Sequence, residues 1–238
     1  MAAPVVESSI KASEEGSDTL DFTFMADIAS GELLLACCQS GTVGTRDFDA
    51  KTGWTELFDY NFSAAGLNGS HQIFYKVADG TESGADTWGI QDQWTRASLV
   101  MLRISGAEDP ATTPIVYVTS VDGASGSATA PAAVATDDDS LSIRCQGRYR
   151  GGLILTCEDH AFIENAQVSN TKIDVWEDVV PAGSTGTKSV TYSPTWWSSP
   201  SVGHSVLLIA PPASGGSNWP GPAGFIPSTK QIFGSHES

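Results

Sequence analysis

Apolar residues in this chain recur at every second position in short runs, and helical spacing is nearly absent. The stretch ELLLACC puts Leu33, Leu35 and Cys37 on one side of an extended segment, and SLSIRC does the same with Leu141, Ile143 and Cys145. No segment carries apolar residues at i, i+3, i+4 and i+7 between capping residues, so helices are not expected. Strands are expected over Thr19–Met25, Leu33–Cys38, Thr55–Tyr60, Gln72–Val77, Thr87–Ile90, Ala97–Ser105 and Ile115–Val121. The second half adds Leu141–Gln146, Leu153–Cys157, Lys172–Glu177, Lys188–Tyr192 and Ser205–Ala210. About a dozen short strands separated by Gly, Ser, Asp and Pro point to a sandwich or barrel, not to alternating βαβ units.

The two halves echo each other. After the paired runs above, IFYKVADGTESGADTWGI (73–90) is matched by IDVWEDVVPAGSTGTKSVTYS (173–193), each reading as strand, Gly-containing turn, strand. A Trp-bearing stretch follows in both, Trp94 in one and Trp196–Trp197 in the other, and each half closes on an apolar run, SLVMLRISG or HSVLLIAPP. Internal symmetry explains the echo, as does chance likeness between β-rich sequences. The expected fold is all-β: a jelly-roll-like β-sandwich of two antiparallel sheets built from the two halves. It would occupy residues 1–212, with halves at about 19–120 and 137–212 joined by a small, polar crossover. Residues 213–238 form a Pro/Gly-rich arm that carries Trp219, Phe225, Ile226, Ile232 and Phe233. So many large apolar residues suit an arm packed on its own domain or laid on a neighbour, and those five are the candidate partner contacts.

Charge narrows the partners. Twelve Lys+Arg against 28 Asp+Glu give a formal net charge of −16, which repels phosphate backbones and argues against nucleic acid. No run has the roughly 18 apolar residues of a membrane helix, and the N-terminus lacks a basic segment followed by an apolar one, so neither a span nor a secretory signal is expected. Cys37 and Cys38 are adjacent while Cys145 and Cys157 stand far off, which suits buried thiols made in a reducing cytoplasm better than a disulfide framework.

Candidate chemistry is sparse. The acidic residues Asp79, Glu82 and Asp86 surround Gly80 and Gly84, as in a hairpin turn whose acids keep its edge soluble. Asp137, Asp138 and Asp139 lack the spaced ligands of an EF-hand, and Cys157 to His160 has no second pair to complete a zinc site. No G-x-S-x-G elbow is present, and no catalytic set, metal or cofactor is assigned. Trp88 and Trp176 lie within strand patterns and are expected in the core, with Trp54 as a plug. Trp94, Trp196 and Trp197 precede the last strand of each half. They serve either as core-end plugs or as a stacking platform for a glycan.

The motifs GELLLA (Gly31–Ala36), GWTEL (Gly53–Leu57), FYKVADGTE (Phe74–Glu82) and LRISGAEDP (Leu102–Pro110) occur in an order that resembles a group of tailed-bacteriophage β-sandwich virion proteins. The likeness runs over roughly residues 19–212, departing at Cys37–Cys38 and at the apolar-punctuated arm. It implies a non-enzymatic structural component of a double-stranded-DNA phage particle, made in the host cytoplasm: a capsid decoration protein, or a tail- or fibre-associated one. Its partners would be other virion subunits or further copies of itself. The rival expectations are a carbohydrate-binding module for host adsorption and, less favoured, a tail glycan hydrolase, which needs two carboxylates about 5–10 Å apart.

Overall fold

The computed structural model describes residues 2–42, 47–64, 67–91, 96–122, 127–149, 154–157, 161–168, 171–192 and 201–211. Among these residues there is no helix, and the chain forms a β-sandwich of two five-stranded antiparallel sheets. The first sheet holds β1 (Val5–Glu15), β3 (Leu33–Thr42), β4 (Thr55–Ala64), β5 (Leu67–Val77) and β7 (Arg96–Ser105), in the order β1-β7-β3-β5-β4. The second holds β8 (Val116–Asp122), β11 (Ser140–Tyr149), β13 (Ala161–Val168), β14 (Thr171–Val180) and β17 (Ser201–Ile209), in the order β8-β17-β11-β14-β13. Each main sheet comes from one continuous half of the chain.

The two sheet orders are the same once β1, β3, β4, β5 and β7 are matched to β8, β11, β13, β14 and β17. The registers agree residue by residue. Cys37 sits opposite Ile73 and Val100, and Cys145 sits opposite Val175 and Ser205. Smaller ribbons occur at the same points of each half: β2 (Thr19–Thr23) with β6 (Ala85–Gly89), and β10 (Val134–Ala135) with β15 (Gly183–Ser184). A three-stranded sheet of β12 (Ile154–Cys157), β16 (Lys188–Tyr192) and β9 (Ser127–Ala130) belongs to the second half, with no counterpart among the described residues of the first. Contacts between the main sheets also come in matched pairs, β7 on β14 as β17 on β5, and β7 on β13 as β17 on β4. A pseudo-twofold axis therefore relates the sheets and passes between β3 and β11. The halves begin at β1 and β8, ahead of the positions near 19 and 137 that the sequence pattern suggested.

Period-two patterning explains the core. Leu33, Leu35, Cys37, Ile73, Val100, Leu102 and Ile104 point inward from the first sheet and meet Leu141, Ile143, Cys145, Ile173, Val175, Leu207 and Ile209 from the second. The alternate residues of the first sheet are apolar too: Leu34, Ala36, Cys38, Phe74, Leu99 and Met101 are buried beneath Leu20, Phe22, Phe48 and Trp88. Burial on both faces is why ELLLACC reads as a continuous apolar run. Trp88 is the hub of that outer layer. It is fully buried, its ring lies 4.9 Å from Phe74, 5.1 Å from Trp54 and 6.2 Å from Phe48, and its Nε1–H donates to the Asp49 carbonyl at 2.8 Å.

The 73–90 stretch is not a hairpin. β5 pairs with β3 and β4, whereas β6 pairs with β2, so the chain leaves the first sheet between them and rises into the ribbon. Gly80 (φ 85°) and Gly84 (φ 72°) make the turns, as their left-handed backbone requires. The acids are not edge guards. Glu82, nearly buried, accepts from the Asp79 and Gly80 N–H groups at 3.1 and 3.0 Å and pairs with Lys76 at 2.7 Å. Asp86 pairs with Lys51 at 3.0 Å.

Candidate functional site

A groove of about 590 Å³ opens above the first sheet, between the 78–84 loop, β6 and the segment that joins β3 to β4. Its lining is mostly polar, and the half-buried rings of Phe24 and Trp54, the latter packed on fully buried Trp88, supply its aromatic part. A turn in which the Trp54 N–H donates to the Lys51 carbonyl at 3.0 Å, with Gly53 at φ 81°, lays Trp54 half-buried against Trp88. Lys51 spans the wall. Its ammonium pairs with Asp86, donates to the Thr87 carbonyl at 2.8 Å and stands 5.8 Å from the ring centres of both Phe22 and Trp88. Lys76 and Glu82 form the second ion pair of the wall, and Asp49 and Thr81 add polar atoms.

The ion pairs set the charge of the wall. Burial alone would raise the Glu82 carboxyl, but the Lys76 ammonium and the Asp79 N–H outweigh it and hold the group below the ordinary glutamate value. Glu82 is thus ionised at neutral pH, with no proton to donate. A flat ring beside paired charges and hydroxyls is an arrangement that accepts a polyol: the ring takes the apolar face of a sugar and the walls take its hydroxyls.

A second polar cluster lies on the outer face of the second sheet. Arg144, Gln146 and Arg148 of β11 stand opposite Trp176, Asp174 and Lys172 of β14, and all six are buried. Arg144 donates to the Pro131 carbonyl at 2.7 Å, the Gly186 carbonyl at 3.1 Å and Thr185 Oγ1 at 3.2 Å. Lys172 pairs with Asp174 at 2.6 Å. Burial pushes the Arg148 guanidinium down to about 10 despite Asp174 nearby, and its Nε and Nη1 have no hydrogen-bond partner among the described residues. The matching positions of the first half are Ala36, Cys38 and Ser40, opposite Phe74, Gln72 and Ser70. There, Gln72 grips the Phe48 backbone, accepting from its N–H at 2.7 Å and donating to its carbonyl at 3.3 Å. The same frame carries neutral residues in one half and charges in the other.

Trp94, Trp196 and Trp197, and the arm residues Trp219, Phe225, Ile226, Ile232 and Phe233, all fall outside the described residues. Trp88 and Trp176 are buried as expected, while Trp54 packs over the outer face of the first sheet and not between the sheets. In the aspartate run, Asp138 accepts from the Ala182 N–H at 2.9 Å, fixing a turn. Among the described residues, no group of three or more His, Cys, Asp or Glu is placed to hold a metal ion. Sequence reasoning missed the groove lysines and the buried charges of β11 and β14. Their signal was present: aligning the halves on Cys37 and Cys145 sets Arg144 and Arg148 against Ala36 and Ser40. No protein-family model, curated protein or solved structure matches the chain.

Proposed function

We propose that this chain is a non-enzymatic structural component of a tailed double-stranded-DNA phage virion, a capsid decoration protein or a tail- or fibre-associated protein that packs on other virion subunits. The observation that carries this reading is the use made of the four motifs behind the resemblance. Glu32 of the first motif holds Arg103 of the last through two hydrogen bonds of 2.6 and 2.9 Å, Lys76 and Glu82 of the third hold each other, and Trp54 of the second packs on Trp88. Residues that could have served chemistry instead tie strands of the first sheet to one another, to the following loop and to the ribbon, which is what a scaffold needs. The net charge of −16 keeps such a subunit soluble at high local concentration and favours docking on basic surfaces. Quantitative mass spectrometry of purified virions from the encoding phage tests the reading. A copy number near that of the major capsid protein means decoration, a small fraction of it means a tail or fibre position, and absence from particles refutes it.

The groove favours a second reading, a glycan contact used in adsorption. A half-buried Trp54 beside Lys51, Asp86 and Glu82 is a stacking platform with hydrogen-bonding walls. Trp54→Ala should lower binding on a glycan array by at least tenfold without unfolding the sandwich. An array on which the unaltered protein binds nothing removes this reading and leaves the virion role standing.

A further inference from the structure

Cys37 and Cys145 occupy equivalent positions at the centre of β3 and β11, and their Sγ atoms face each other across the pseudo-twofold axis at 2.8 Å. Both are fully buried in the layer between the sheets. A disulfide needs about 2.05 Å, so the sulfurs close by less than about 1 Å to bond. Cys38 points to the opposite face of β3, into the layer under Trp88, and cannot compete for Cys145.

We propose that this pair is a covalent cross-link site: given a low-molecular-weight disulfide as oxidant, Cys37 and Cys145 form an intramolecular bond that ties the two sheets together at their centre. The steps are two thiol–disulfide exchanges. One protein thiolate attacks a sulfur of the oxidant and releases its first thiol. The other protein thiolate then attacks that protein-bound sulfur and releases the second. Two protein thiols are oxidised, one oxidant disulfide is reduced, and the two protons leave on the released thiols. Burial, and then the neighbouring Cys145, push the Cys37 thiol well above its ordinary value. The attacking thiolate is therefore scarce in the closed sandwich, so the bond forms during folding or on transient opening of the sheets.

The test refolds the full chain in mixed reduced and oxidised glutathione, beside a sample kept in reductant. The expected product is about 2 Da lighter, and non-reducing tryptic mapping joins the peptide 145–148 to the one that contains Cys37. The link should persist in Cys38→Ser and in Cys157→Ser and vanish in Cys37→Ser and in Cys145→Ala. Closing a loop of this length should raise Tm by roughly 10 °C over the reduced form. A bond through Cys38 or Cys157, or an unchanged mass after oxidative refolding, overturns the proposal. Neither result bears on whether the chain is found in virions, so the two readings fail separately.

Discussion

Replacing Gly147 by Ala probes the packing at the centre of the pseudo-twofold frame. Gly147 is the counterpart of Gln39, and the Gln39 side chain lies over it. A Cβ built on Gly147 meets Gln39 Oε1 in outright overlap, Gln39 Cδ at 2.6 Å and His71 Nδ1 at 2.8 Å. None of these neighbours has room to retreat. Gln39 is fully buried with its Nε2 donating to the Ser40 carbonyl at 2.6 Å, and His71 is held across the sheets by Ser205 Oγ at 3.0 Å. Overpacking of this kind costs about 1–3 kcal/mol, while Ala in place of Gly in a strand returns about 0.5–1 kcal/mol. The single variant should therefore lose about 1–2 kcal/mol. Gln39→Ala alone gives up one hydrogen bond but also removes an Oε1 that has no partner among the described residues, so its net effect should lie within about 1 kcal/mol. In the double variant the overlap is gone and only the strand preference of about 0.5–1 kcal/mol remains, so the coupling energy should favour the pair by about 1.5–3 kcal/mol. Urea denaturation followed by the fluorescence of buried Trp88 and Trp176 measures all four corners of the cycle. Additivity within about 0.5 kcal/mol would refute the reasoning, because it would mean that the two side-chain positions do not meet.

The acid side of the stability profile should be set partly by Glu32 and Glu82. Burial would raise both carboxyls, but Arg103 with the Ala29 N–H, and Lys76 with the Asp79 N–H, hold them below the ordinary value. The unfolded chain then binds more protons, so this stability is complete above about pH 4.5 and is lost as pH falls through the folded values. Glu82→Gln should flatten that part of the curve in thermal melts and speed hydrogen exchange at Asp79 and Gly80. Buried Asp174 differs: desolvation raises its carboxyl, but it is the partner of buried Lys172, so Asp174→Asn strands that ammonium and should cost about 3–5 kcal/mol at neutral pH in urea denaturation. The two buried arginines should separate cleanly. Arg144→Met loses three hydrogen bonds and should cost about 2–4 kcal/mol, whereas Arg148→Met removes a desolvated, poorly partnered charge and should be neutral or stabilising by about 1–2 kcal/mol in the same denaturation assay.

The inner core was legible in the sequence because strand period is local. Leu33, Leu35 and Cys37, with Leu141, Ile143 and Cys145, declare their shared face within six residues and do meet in one core. Two edge strands were not legible. β1 reads VVESSIKASEE and β13 reads AFIENAQV, and an edge strand half in solvent needs no clean apolar alternation. The supposed hairpin failed for a different reason. Two adjacent strand patterns with a turn between them look alike whether they pair with each other or with partners far along the chain, and β5 and β6 have distant partners. The buried charges were hidden by the usual rule that a polar residue within a strand faces water. Arg144 and Lys172 violate it because the second sheet is covered on both faces, a cover that the sequence betrays through the alignment of Arg144 with Ala36.

The likeness of the two sheets also bears on what each half is free to become. In a dimer of identical subunits every substitution near the axis appears twice, so a long side chain there must face its own copy. A glutamine at position 39 would collide with a second glutamine. Joined in one polypeptide, the halves vary singly, and the glutamine meets a glycine shaped to receive it. The same freedom lets one half bury an aromatic hub and the other a cluster of charges on a common frame, giving the molecule two unlike faces and hence a direction.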